Sequence, residues 1–200
     1  MKKGKIFEAL GFRKDWIYET IIATYSGEKA HSAPMGVSTP DHERLTAEIY
    51  KSSRTCANIL SKKAFSVNLS SDVSLFYDSA CRKESLVYGR ADNIDAPVIA
   101  QADACLEISV EESIDIGDKM RFIGKVAGHS ARKEYADIKP INRAEALVIE
   151  ALITFSKIPS AQAKEKDVLV KEIRRICRVV SRVAPGSDAE GLVNALSLRL

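Results

Sequence analysis

Six residues near the start of the stretch Tyr50 to Leu69, YKSSRTCANILSKKAFSVNL, have the chemical types that hold an oxyanion. Lys51 and Arg54 are cationic, Ser52, Ser53 and Thr55 carry hydroxyls, and Asn58 follows Arg54 by one helical turn with an amide donor. The cluster stands where the period changes from strand to helix, and the first N–H groups of a helix have no intrahelical acceptor. Those groups point outward at the positive end of the dipole, hydroxyls add donors, and a guanidinium can grip two phosphate oxygens. Phosphate binding is the chemistry indicated. Plain helix capping by Ser52 or Ser53 accounts for part of the same pattern.

The elements that must position this cluster can be read on either side of it. WIYETIIAT, from Trp16 to Thr24, is dense in β-branched and aromatic residues; YSGEK supplies a turn, and AHSAPMGVST returns, which predicts a hairpin. In the second arm Ala33, Met35 and Val37 alternate with Ser32, Pro34 and Gly36. Pro34 lacks a ladder N–H, so this strand belongs at an edge or carries a bulge, where a ligand can approach. LTAEIYK reads as a third strand, and the short helix after it carries Cys56, Ile59 and Leu60 on one face. AFSVNLS is a fourth strand, and SDVSLFYDSAC begins a helix capped by Ser71 or Asp72. Arg82 to Ala102 has no clear period. Beyond it, Leu106, Ile108 and Val110, then Met120, Phe122, Gly124 and Val126, form two period-two runs joined around Ile116, Gly117 and Asp118. These predict an antiparallel hairpin.

After Pro140 the period becomes helical. Ala144, Val148, Ala151, Leu152 and Phe155 fall on one face, with Asn142 as cap and Pro159 as terminator. Lys164 to Val183 predicts a second helix with Val168, Ile173, Ile176, Val180 and Val183 inward, and Ser187 caps a third. The expected division is a strand-rich domain over 1–139 and a helical extension over 140–200 packed on it.

Composition narrows the function classes. Of 200 residues 46% are hydrophobic and 28% charged, which suits one globular domain with an appendage. Thirty Lys and Arg against 27 Asp and Glu are too balanced to draw nucleic acid or an anionic membrane by charge. No apolar run approaches a membrane span, and MKKGKIFEALGFRK does not continue into a secretory signal, so a cytoplasmic location is expected. Cys56, Cys81, Cys105 and Cys177 are scattered, as are His31, His42 and His129, and neither set has the spacing of a metal site. A GxGxxG fingerprint is also missing, so a dinucleotide site of the Rossmann type is not expected.

The succession of hairpin, third strand, SSRTxxNI, a strand ending in VNL, and LEISVEESxxIGDKxxFIGKV resembles the FMN-binding split barrels of the flavin-reductase-like and pyridoxamine-phosphate-oxidase-like group. The resemblance runs from about Trp16 to Ser130. YETIIAT, KAHSAPMGV, SSRTCANIL and FSVNL are most similar to an archaeal domain-of-unknown-function family, number 447, whose members carry a split barrel and a C-terminal helical extension.

That resemblance implies an α+β fold, an antiparallel split β-barrel, and a homodimer with FMN at the subunit interface. It implies that Ser53, Arg54, Thr55 and Asn58 hold the FMN phosphate, with Lys51 and Ser52 beside them. The flavin ring would lie along Ser32, Ala33, Pro34 and Met35, a stretch that serves equally as an ordinary edge strand. His31, beside that ring, is a candidate proton donor or else an interface or surface histidine. Tyr77 and Asp78 border the cofactor or belong to core and surface. The activity implied is that of a flavin-dependent oxidoreductase resembling flavin reductases. The alternatives are a non-catalytic FMN carrier, a module for another phosphorylated ligand, or an interaction protein whose barrel has lost its ligand. One departure stands out: many flavin reductases place His after the Gly-Asp of the late hairpin, where this chain has Lys119.

Overall fold

The computed structural model of the protein describes residues 6–132 and 134–200. The described residues divide into two compact units, one of residues 6–14, 18–132 and 134–141, the other of residues 15–17 and 142–200.

Among the described residues, eight strands build the first unit: β1 (Tyr18–Ser26), β2 (Lys29–Ser38), β3 (Arg44–Tyr50), β4 (Ala64–Leu69), β5 (Tyr88–Arg90), β6 (Pro97–Ile99), β7 (Ala104–Asp115) and β8 (Lys119–Ala131). Six of them close a barrel in the order β1-β2-β3-β8-β7-β4, with every pairing antiparallel. The β1–β2 hairpin turns on Gly27 and Glu28, and Gly27 takes the positive φ of 63° that such a tight turn needs. Paired residues share a face, so Val37, Ala47 and Phe122 stand side by side across β2, β3 and β8, and Ile22, Val67 and Leu106 across β1, β4 and β7. All six are buried and fill the barrel interior.

Strand β1 is covered on its other face as well. Ile21 and Ala23 pack with Leu75 of helix α3 (Val73–Cys81), Leu86, Ile99 and Ala102. Burial on both faces explains why WIYETIIAT is rich in apolar residues without alternating, and β4 is buried along its whole length for the same reason. The unassigned stretch 82–102 forms a single 3-10 turn, Lys83–Ser85, and the two-stranded β5–β6 sheet. Its loop is pinned by the buried Glu107 carboxylate, which accepts from the N–H groups of Asn93 at 2.7 Å and Asp92 at 3.1 Å.

A short helix α1 (Ile6–Ala9) also belongs to this unit, as does α2 (Arg54–Lys62). Helix α2 buries Thr55, Cys56, Asn58 and Ile59, whereas Leu60, expected on that face, is exposed one residue past the stripe.

The second unit holds α4 (Ala144–Lys157), α5 (Ala163–Val183) and α6 (Asp188–Ser197). Its core joins Val148, Ala151, Ile173, Ile176, Val180, Val183 and Val193, with Trp16 and Ile17 packed against them. Ser187 caps α6 by accepting from the Glu190 N–H. Asn142 accepts from the Ala144 N–H at 2.9 Å, a capping bond made one residue before Arg143, the residue that immediately precedes the helix. Two expected core residues lie outside. Leu152 is 50% exposed because the α4 stripe continues from Ala151 through Thr154, and Val168 is 63% exposed because the α5 stripe, taken one turn back from Ile173, falls on Leu169. No helix among the described residues is long and apolar enough to cross a membrane.

Candidate functional site

Strand β2 pairs with β1 along its whole length but with β3 only at Val37 and Ser38. From Lys29 to Gly36 one side of β2 therefore carries no partner strand, the open edge that Pro34 requires. Pro34 is exposed, Ala33 and Met35 are half-buried, and Ser32 is fully buried. The Ser32 hydroxyl shares a 2.8 Å hydrogen bond with the Tyr88 hydroxyl, so its role is to tie β2 to β5.

The phosphate candidates separate into distinct roles. Ser53 is the N-cap of α2 and accepts from the Cys56 N–H at 3.1 Å. The first intrahelical donor is Ala57, bonded to the Ser53 carbonyl, which leaves the N–H groups of Arg54 and Thr55 ahead of the helix's own ladder. Ser52 is exposed. Asn58 is buried and donates to the Thr24 hydroxyl at 2.9 Å, an arrangement that anchors α2 on β1. Lys51 is neutralised by Asp115, whose carboxylate accepts from its ammonium at 2.6 Å and is held below the usual carboxylate range by it. The Lys51 N–H also donates to Asp118, and the Lys119 ammonium lies 4.8 Å from the centre of the Tyr50 ring. The late hairpin turn thus abuts the start of the helix segment, with Lys119 engaged on an aromatic face.

Arg54 differs from Lys51. It is exposed, and among the described residues it forms no ion pair. Its charge acts on two groups that the sequence did not connect to it, His31 on β2 and Lys83 on the 3-10 turn after α3. The Lys83 ammonium is 3.4 Å from His31 Nδ1. Partial burial, then Lys83, then Arg54 push the His31 imidazole down to about 4. Burial, then Arg54, likewise lower the Lys83 ammonium. A lysine ammonium has only donors, so His31 Nδ1 accepts and the ring proton sits on Nε2. At neutral pH His31 is therefore a neutral N–H donor and not an imidazolium acid.

Tyr77 and Asp78 are both engaged with Arg82, which lies over the Tyr77 ring and pairs with Asp78 at 2.7 Å. Lys83 and Tyr88 were missed in the sequence because they sit in elements of three residues each, too short to show a period. The only available signal was that RK interrupts a helical pattern at Arg82.

The site joins an open strand edge, an exposed helix N-terminus and two cations, Arg54 and Lys83, that form no ion pair among the described residues. A family model described as "Protein of unknown function (DUF447) N-terminal domain" matches residues 18–144. The chain belongs to this family. Similar to this DUF447 chain is an uncharacterised protein of Methanocaldococcus jannaschii, 22% identical over 178 residues that cover 84% of this chain and 90% of the relative. Among solved structures, an FMN-bound DUF447 protein of Methanosarcina mazei matches 97% of the chain and 100% of its own length, with a TM-score of 0.57 and 20% identity. A flavoredoxin of Methanosarcina acetivorans matches 62% of the chain and 74% of its own length at a TM-score of 0.52 and 19% identity. An FMN-binding protein of Thermus thermophilus matches 57% and 71% at 0.51 and 16%. The fold is that of the FMN-binding split barrels, with helices after the barrel as in the expected α+β class.

Proposed function

We propose that the DUF447 chain binds FMN at the open edge of β2 and uses it as an oxidoreductase of the flavin-reductase kind. The observation that carries this reading is the presence together of Arg54, which forms no ion pair among the described residues, the N–H groups of Arg54 and Thr55 ahead of the helix's own ladder, and the stretch Lys29 to Gly36 of β2 that has no partner on β3. Its donor set suits FMN: a phosphate monoester takes the helix N–H groups and a guanidinium, and a flat ring takes the small residues Ala33 and Pro34. The FMN-bound relative of the same family and the flavin-binding neighbours supply the ligand class. When bound, FMN supplies hydride and single-electron chemistry.

In this reading Arg54 and the Ser53-capped helix start hold the phosphate, and Asn58 keeps α2 in place on β1. Lys51, occupied by Asp115, and the exposed Ser52 stay outside the grip. Met35 and the β2 edge border the ring, and a second copy of the chain covers that edge in a homodimer. A carrier without turnover is the second reading, favoured by Lys119, which lies on Tyr50 at the position where a reductase-type histidine is expected.

Titration with FMN, followed by flavin fluorescence, tests the first reading. Wild type is expected to bind, and Arg54→Ala to bind about tenfold or more weakly, in line with loss of a charge-assisted hydrogen bond. Equal binding by the two proteins would remove Arg54 from the site. Turnover with a reduced nicotinamide donor separates the reductase from the carrier.

A further inference from the structure

We infer that Lys83 is the second cation of the anion site and that, with Arg54, it selects ligands carrying a doubly charged phosphate group. The inference rests on the phosphate reading of the Ser53–Asn58 segment and adds to it a residue from a different part of the chain. Its basis is geometric. The Lys83 ammonium stands 3.4 Å from His31 Nδ1, the Thr24 hydroxyl donates to the His31 carbonyl, and Asn58, one turn after Arg54, donates to the Thr24 hydroxyl, so β2, the start of α2 and the turn Lys83–Ser85 meet at His31.

Two features separate Lys83 from a surface lysine. Its neighbour Arg82 is neutralised by Asp78, whereas Lys83 reaches His31 and forms no ion pair among the described residues. It is also only partly exposed, so its ammonium has given up water without gaining a carboxylate. Two like charges near one another and without an acid repel, and that repulsion is relieved when an anion enters between them. A phosphate monoester carries close to two negative charges at neutral pH, which matches two cations. His31 is neutral and so adds no third positive charge. Uncharged riboflavin has the same ring without that group, so discrimination between FMN and riboflavin belongs to this cluster.

The test compares wild type, Lys83→Gln and Lys83→Arg with three probes: FMN, riboflavin and inorganic phosphate. Lys83→Gln is expected to weaken FMN about tenfold or more and riboflavin less than about twofold, and Lys83→Arg to restore most of the FMN affinity. Unchanged FMN binding in Lys83→Gln, or an equal loss for both flavins, would overturn the inference, the latter by assigning Lys83 to the ring or to the fold. The phosphate probe works without any flavin. Inorganic phosphate is expected to shift the His31 imidazole resonances of wild type, and to shift those of Lys83→Gln much less at the same concentration. If wild type bound no flavin but showed this difference, the FMN reading would fail and the two-cation site would stand. No shift in wild type, or the same shift in both proteins, would overturn the site itself.

Discussion

His31 titrates far from its ordinary range because burial and two cations oppose its charged form. The folded-state value is about 4 against 6.5 for the free side chain, so between those values the unfolded chain takes up a proton that the fold rejects. Stability present above pH 6.5 is consequently lost as the pH falls toward 4. His31→Gln removes this contribution. The gap between urea midpoints measured at about pH 7 and about pH 4.5 should be smaller in that variant than in wild type, and an equal gap would mean that His31 titrates normally. Legibility at this scale was uneven. Ser53 and Arg54 could be read because a hydroxyl cap and a guanidinium at a helix start have a local signature. The partners of His31 could not, since the pairing with Lys83 spans 52 residues and depends on where α3 stops. Lys51 carries the same charge as Arg54, and only the fold shows that Asp115 has claimed it.

Strands of six residues or more were legible, β1 and β4 among them although both of their faces are buried, whereas the three-residue β5 and β6 were not. The β7–β8 hairpin appeared as two alternating runs, but its register shifts, between Glu107 and Ile108 and between Val110 and Glu112, left no mark in the pattern. These irregularities bear on Gly124. A Cβ placed there would stand 2.5 Å from the Ser109 carbonyl oxygen, a backbone atom that cannot move aside without disturbing β7. Gly124→Ala should cost about 1–3 kcal/mol, read as a lower urea midpoint at unchanged slope. A neutral result would show that the bulged segment of β7 yields easily. Helix faces were placed correctly to within one residue. Leu60, Leu152 and Val168 erred in the same way, each lying next to the buried stripe.

The period of the sequence changes after Pro140, close to where the second unit resumes at Asn142, but no pattern marks the three earlier residues that belong to that unit. Asp15–Ile17 belongs with the helices although β1 begins at the next residue. Asn142 secures that segment: its Nδ2 donates to the carbonyls of Ile17 at 2.9 Å and Val183 at 2.8 Å, and the Ile17 N–H donates to Val183 at 2.9 Å. No periodicity reports a bond made at such separation. Asn142→Ala should destabilise the helical unit by about 1–3 kcal/mol and speed amide exchange at Ile17, while exchange in β7 and β8 stays as in wild type. Uniform acceleration across the chain would show instead that the two units unfold together.

The same threading sets an order of events during synthesis. The Trp16 indole donates to the Pro185 carbonyl, 169 residues later in the chain. At the usual pace of translation that is an interval of roughly ten to thirty seconds, during which every barrel strand leaves the ribosome before α5 and α6 exist. The barrel can close in that time, but Trp16 and Ile17, already made, lack their hydrogen-bond partners Pro185 and Val183 until the end of α5 emerges. A nascent chain stalled before Val183 would carry a finished barrel with an apolar segment exposed beside β1, and that is the stage at which a chaperone would find it.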